Sequence, residues 1–273
     1  AFIGVLFITP DSLLIRLSNI ETWGLLFYRG FIPFIVVLFG LILFYKTNFF
    51  KALINIGYTG IFYAISFSVC NVTFIISIQN TSVANTLIMV AMAPMLSAFL
   101  GAFFLKETPN KETWFAIIIT FLSVTFIFYD SVKLGNIVGD IFGFITALGL
   151  AINANLARFA KDKDLVPAAV IGKLGTAAFA FVFVKSFNLI NTDIIIVPLM
   201  CVLCVAIPFV LVTIAPRYIT AAEVNLFFLL EVIIGPIWVW MVVNERPSTE
   251  TIIGGIIIII TIAIHSFLAI KKT

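Results

Sequence analysis

From Ala221 to Val243 the chain reads AAEVNLFFLLEVIIGPIWVWMVV, a run long enough to cross a lipid bilayer and broken by only two charges, Glu223 and Glu231. The core of a bilayer offers no water to the backbone. A crossing segment must close its own hydrogen bonds, which a helix of about 20 mostly apolar residues does. Cutting at polar, charged and Gly/Pro breaks yields ten such segments, approximately Phe2–Leu17, Thr22–Tyr45, Ala52–Ser77, Ser82–Leu105, Thr113–Tyr129, Ile137–Arg158, Val166–Phe187, Ile194–Ala215, Thr220–Val243 and Thr251–Ile270. The pattern predicts an all-α integral membrane fold of ten transmembrane helices with short connections. Composition agrees, with 62% hydrophobic and 11% charged residues, against about 45–50% and about 25% in soluble domains.

The numbering opens without Met inside an apolar segment, so a short N-terminal piece is expected before residue 1. That segment has no small-residue cleavage site and reads as a first membrane helix rather than a signal peptide. If the segments alternate in direction, one side receives Lys46, Lys51, Lys106, Lys111, Arg158, Lys161, Lys163, Arg217, Lys271 and Lys272. The other side receives Arg16, Lys133, Lys185 and Arg246. The cation-rich side is expected to be cytoplasmic, with both termini there, in a bacterial-type inner membrane.

The sequence also repeats. KETPNKETW from Lys106 and NERPSTETI from Asn244 share E-x-P-x-x-E-T, and Glu107 and Glu245 stand 138 residues apart. At the same offset Ser82-Val83-Ala84 faces Thr220-Ala221-Ala222, and Asn85 is the counterpart of Glu223. A looser match at 142 residues sets Pro10–Arg16 (PDSLLIR) beside Ile152–Arg158 (INANLAR). The chain therefore divides into residues 1–134, carrying helices 1–5, and 135–273, carrying helices 6–10. Five helices is an odd number, so the second copy enters the membrane from the opposite side. Inverted repeats of this kind are typical of secondary transporters, which hold substrate near the midplane between the repeats.

With TSVANT and ITAAEV opening the fourth and ninth helices, Pro94 inside MAPML, and Glu107 and Glu245 closing the same helices, the chain resembles the drug/metabolite transporter superfamily, and within it the ten-helix EamA-domain proteins, along essentially its whole length. Where that family often carries Glu-Pro, this chain has Glu231-Val232, which keeps the carboxylate and removes a kink. The resemblance implies transport of a small metabolite through a cavity between the halves.

A charge at the centre of a membrane helix costs about 2.5–3.5 kcal/mol on insertion scales, so it faces a cavity or a partner. Glu231 lies mid-segment, and Glu223, Phe227 and Glu231 share one helical stripe. Either this stripe lines a cavity, with a glutamate taking a cationic group or a coupling proton, or the glutamates pair with Arg29 or Lys173. Those two cations sit at similar depths in LLFYRGF and VIGKLGT, where they can receive a substrate carboxylate or snorkel to an interface. Asp11 follows Pro10, which should bend the first helix; it either pairs with Arg16 or meets substrate. Asn71, Asn85 and Asn153 are candidate polar cavity residues or interhelical glue, and Tyr28 and Tyr63 candidate aromatic walls.

Mixed intramembrane charge favours a small polar, charged or zwitterionic, amino-acid-like substrate; a neutral aromatic cavity would instead suit hydrophobic or planar compounds, and a nucleotide- or vitamin-like metabolite is a further alternative. The expected partners are this small molecule and membrane lipid, for a monomer or homodimer, with no cofactor. No aromatic-interleaved basic patch points to nucleic acid. Cys201 and Cys204 have metal-ligand spacing, but they lie in a continuous apolar run without a second ligand pair, so no metal is expected. Neither H-E-x-x-H, G-x-S-x-G nor a P-loop occurs, so protease, hydrolase and ATP-driven pump readings lack their residues.

Overall fold

The computed structural model describes residues 2–45, 54–106, 109–160, 163–214 and 221–271, with the side chains at 45, 133–134, 212–214, 221–226 and 269 outside that description. Among these residues every regular element is helical. The elements are α1 (Phe2–Ile8), α2 (Asp11–Leu17), α3 (Thr22–Tyr45), α4 (Gly57–Asn80), α5 (Val83–Ala91), α6 (Ala93–Phe104), α7 (Lys111–Leu134), α8 (Ile137–Phe159), α9 (Val166–Phe181), α10 (Asp193–Leu199), a π-helical segment (Met200–Ala206), α11 (Ile207–Ile214), α12 (Ala221–Val243) and α13 (Thr249–Lys271). Seven helices, counting α5–α6 and α10–α11 as single bent ones, are long and apolar enough to cross a membrane, and α9 and the described part of α12 are shorter apolar helices.

Two of the breaks follow from proline. Pro10 has no N–H to give to the Leu6 carbonyl, and the Thr9 hydroxyl donates to that carbonyl instead at 3.0 Å. Helical bonding stops there, and α2 restarts with Asp11 in its first turn. Pro94 likewise withholds a donor, and the fourth apolar segment divides at Met92 into α5 and α6. α5 begins on an N-cap, the Ser82 hydroxyl accepting from the Asn85 N–H at 3.1 Å. In the eighth segment the chain winds more slowly through a seven-residue π stretch beginning two residues after Pro198. Wide turns of this kind are rare and frequently lie at functional sites.

The helices assemble side by side with α4 against α8, α9 against both α3 and α4, and α7 against α13. α12 packs on α2, α5 and α13, and the π segment packs on α3. Lipid gives no hydrophobic drive to helix association, so close approach through small residues carries much of the contact. A Cβ on Gly139 would sit 2.5 Å from the Thr81 amide nitrogen, and one on Gly143 would sit 2.9 Å from the Ser77 hydroxyl. These glycines draw α8 onto the α4–α5 corner. At Gly30 a Cβ would meet the Ala177 nitrogen at 2.6 Å and the Lys173 carbonyl at 2.7 Å, so α3 and α9 cross backbone to backbone beside Arg29. The outer faces are apolar, as lipid contact requires: Phe39, Phe62, Phe104, Phe115 and Ile195 are each 63–77% exposed.

The Gly30 crossing has no flexible neighbour to yield. Gly30→Leu is expected to lower stability by about 1–3 kcal/mol or more, read as a lower thermal midpoint in detergent. Gly40→Leu, on the same helix with nothing within 4 Å of its Cβ position, is expected to leave the midpoint unchanged.

Candidate functional site

The break at Pro10 turns Asp11 inward, and its carboxylate meets the Arg29 guanidinium in a two-pronged ion pair, Nη1–Oδ1 2.6 Å and Nη2–Oδ2 2.8 Å. Both residues are buried. The planar fork suits arginine, and two parallel hydrogen bonds fix both side chains. Cys201 and Cys204, on the π segment, lie within electrostatic reach of this pair.

Glu231 projects from α12 toward the same break. One turn earlier, the Phe227 ring lies 6.0 Å from the Phe2 ring; one turn later, Gly235 faces Ser12 and the Thr9 carbonyl. Glu231 is within electrostatic reach of Asp11 and Arg29, yet no described residue donates a hydrogen bond or forms an ion pair with its carboxylate. The Glu223 side chain lies outside the described residues.

Lys173 is on α9, buried, and does not snorkel. Its ammonium donates to the Asn71 side-chain oxygen and lies 5.3 Å from the centre of the Phe67 ring. Tyr63 stacks on Phe67, with ring centres 6.1 Å apart and planes 10° from parallel. Asn153 is buried on α8; its amide nitrogen has only the Cys70 sulfur at 3.9 Å, and its oxygen has no hydrogen-bond partner among the described residues. The structure thus brings Asp11, Arg29, Lys173, Asn71 and Glu231 into one charged region, two acids against two bases, with Tyr63, Cys70 and Asn153 along one flank.

Tyr28 and Asn85 go elsewhere. The Tyr28 hydroxyl donates to the Phe187 carbonyl at 2.8 Å, at an exposed position. Asn85 lies at the start of α5 in a second buried polar network. Its amide nitrogen donates to Asp140 (3.2 Å to each oxygen) and to the Ser131 hydroxyl (2.9 Å), while its oxygen accepts from Thr251 at 2.6 Å. Thr81 donates to Asp140 at 2.6 Å, and Ser248 donates to Asp130 at 2.7 Å. Above them Glu245 accepts from the Val83 N–H at 2.7 Å and pairs with Arg16 (Nε–Oε2 3.0 Å), which also donates to the Thr81 carbonyl at 2.6 Å. This network ties α2, α5, α7 and α8 to the α12–α13 corner at one end of the bundle. A groove of about 450 Å³ between α4 and α9 is separate, lined by apolar and small polar residues such as Ile65, Val69 and Phe179 and by no charge.

Three of these features escape a reading of the sequence by apolar runs. Asp140 carries a visible signal, a carboxylate inside an apolar window, but its place in the first turn of its segment makes it look like a helix cap. Arg16 looks like a partner for Asp11, five residues away on one helix; only the tertiary arrangement gives it to Glu245 instead. The π segment has no marker beyond its prolines.

An all-helical chain with apolar outer faces and charges gathered inside is a polytopic membrane protein of the transporter type. The chain belongs to the EamA-like transporter family, whose sequence profile matches it twice, at residues 1–129 and 137–267, and so to the drug/metabolite transporter superfamily. No curated protein sequence matches it. A solved crystal structure, described only as that of a protein, is similar over 99% of this chain and 96% of its own, with a TM-score of 0.67 at 14% identity. That likeness is one of fold.

Asp11→Asn would leave the Arg29 charge buried without a carboxylate, and is expected to cost about 3–5 kcal/mol, measured by thermal unfolding in detergent. Adding Arg29→Gln should recover part of the loss, because the stranded charge is then gone.

Proposed function

We propose that this protein is a secondary carrier that moves a small polar, charged or zwitterionic, amino-acid-like metabolite across a bacterial inner membrane by alternating access. The observation that carries the reading is the charged region where the two halves meet. Asp11, Arg29 and Asn71 come from residues 1–134, and Lys173 and Glu231 from residues 135–273, so a bound molecule would touch both halves at once. Buried charges in a membrane are costly and mark substrate or ion pathways.

The packing supports ten spans arranged as two five-helix repeats of opposite direction. α1–α2 is the first span, α5–α6 the fourth, and α10 through α11 the eighth. Span 3 packs on span 6 as span 8 packs on span 1; span 7 packs on span 3 as span 2 packs on span 8; span 4 packs on span 6 as span 9 packs on span 1. Each contact has its counterpart five spans on. In this reading both termini are cytoplasmic, and the Arg16–Glu245–Val83 network closes the extracytoplasmic end. Of the two halves of span 4, α12 packs mainly on α5, the one nearer that closure. The conformation is therefore read as closed outside. Rocking one half against the other would break this closure and open the cavity to the extracytoplasmic side.

Glu231 is the coupling residue in this scheme. It is a carboxylate without a partner among the described residues, placed against a helix break, where it can exchange a proton or hold a substrate ammonium as the cavity turns from one side to the other. A second reading, export of hydrophobic or planar compounds, draws support from the self-pairing of Asp11 with Arg29, which cancels two of the charges, and from the Tyr63–Phe67 stack.

In proteoliposomes loaded with radiolabelled zwitterionic metabolites, Glu231→Gln is expected to lose pH-driven accumulation while the folded protein stays in the membrane. Accumulation at the wild-type rate would remove Glu231 from the coupling step. Bridging Arg16→Cys to Glu245→Cys with a short bismaleimide, in a background with Cys70, Cys201 and Cys204 replaced, is expected to stop turnover; unimpeded turnover of the bridged protein would show that this end need not open.

A further inference from the structure

The two halves carry unequal versions of one arrangement. Asp11 and Arg29 form an ion pair in the first half, and the 142-residue register that sets Asp11 beside Asn153 accompanies the matched placement of Arg29 and Lys173. At the position of the carboxylate, then, the second half has an amide. Arg29 has its acid; Lys173 has none among the described residues. What Lys173 does have is the neutral Asn71 oxygen and the face of Phe67.

Asn153 shows the same deficiency from the other side. Its side chain is 5% exposed, its oxygen has no described partner, and its nitrogen reaches only a thiol at 3.9 Å. Nearby Asn155 also has an oxygen without a described partner, but its nitrogen is anchored to Ser97 and to the Ala151 carbonyl at 2.9–3.1 Å. Asn153 has no such anchor. Asn153 touches Cys70, and Lys173 donates to Asn71, the next residue of α4, so the two deficient groups meet the same turn of α4, from α8 and from α9. A buried ammonium without a carboxylate and a buried amide oxygen without a donor are both costly. Each is relieved by a ligand with the complementary group.

Resting on the carrier reading above, we propose that this corner is the substrate's anchoring subsite: Lys173 binds a substrate carboxylate that stands where Asp11 stands in the first half, and Asn153 accepts from an N–H or O–H on the adjacent carbon. The ligand class is a carboxylic acid with a donor at its 2-position, that is, a 2-amino or 2-hydroxy acid. Tyr63 and Phe67 offer an aromatic wall to its side chain. Arg29, already donating two bonds to Asp11, is a positioning residue and does not receive the carboxylate.

The decisive variant is Asn153→Asp, which supplies the missing acid from within the protein and should occupy Lys173 as Asp11 occupies Arg29. Thermal shift of the purified protein is measured with 2-amino and 2-hydroxy acids bearing aromatic or branched side chains, beside their amides and the matching amines. Wild type is expected to respond to the acids and not to the amides or amines. Asn153→Asp is expected to have a ligand-free midpoint at or above wild type, and to bind the same acids about tenfold or more weakly. Lys173→Arg is expected to keep the response and Lys173→Gln to lose it, and this pair decides the matter if Asn153→Asp fails to fold. Undiminished binding of the acids by Asn153→Asp, or by Lys173→Gln, overturns the subsite and leaves the carrier reading intact. A wild-type protein that answers to no charged metabolite, and only to apolar compounds, overturns the carrier's substrate class and the subsite together.

Discussion

The buried ion pair between Asp11 and Arg29 governs how the interior of this protein can be arranged. Taking two charges out of water is offset only when each satisfies the other with good geometry, and here two hydrogen bonds of 2.6 and 2.8 Å do so. That geometry requires the first span to be broken, because only a chain interrupted at Pro10 presents Asp11 at the start of a new helix, facing α3. It also requires α3 to hold Arg29 at the same depth, against the π segment that carries Cys201 and Cys204. With one acid and one base satisfied by each other, the remaining charges of the region, Glu231 and Lys173, are the ones whose needs the fold leaves open.

The second polar network obeys a different economy. Asp140 is fully buried, but its partners are the hydroxyl of Thr81 and the amide of Asn85, each in turn tied to further hydroxyls. Chains of neutral donors around a carboxylate hold helix ends together directionally, and they can be exchanged for water when the ends part. Arg16 and Glu245 stand at the rim of this network, each 23% exposed, where an ion pair is cheap to make and to break. In the carrier proposed here, dry pairing in the interior and reversible pairing at the end would let the bundle keep its centre while releasing one end.

The apolar runs located most of the helices, since lipid imposes length and composition on every crossing segment, and the breaks at Pro10 and Pro94 were legible because proline removes a donor wherever it falls. That Glu231, Arg29 and Lys173 lie within helices could also be read directly. Their pairing could not: which acid meets which base depends on the crossing of α3 with α9 and on the angle between α1 and α2, which no spacing along one helix encodes. Asn85 illustrates the limit. It is the register counterpart of Glu223, but the small residues of α8 bring Asp140 to it, and the contact turns a midplane candidate into part of the end network. The seventh apolar segment is expected to run to Phe187, but α9 ends at Phe181, because hydropathy measures fitness for lipid and not where the backbone turns.

The crossing at Gly30 gives these pieces a mechanical setting. α3 and α9 touch backbone to backbone there, next to Arg29 and at the Lys173 carbonyl itself, with no side chain between them. In a pair of bodies that tilt about their closest contact, displacement grows with distance from the pivot. The ends of the helices would sweep through several ångströms while the two cations scarcely move. A cargo held beside the fulcrum would not be carried from one face of the membrane to the other; the openings would trade places around it.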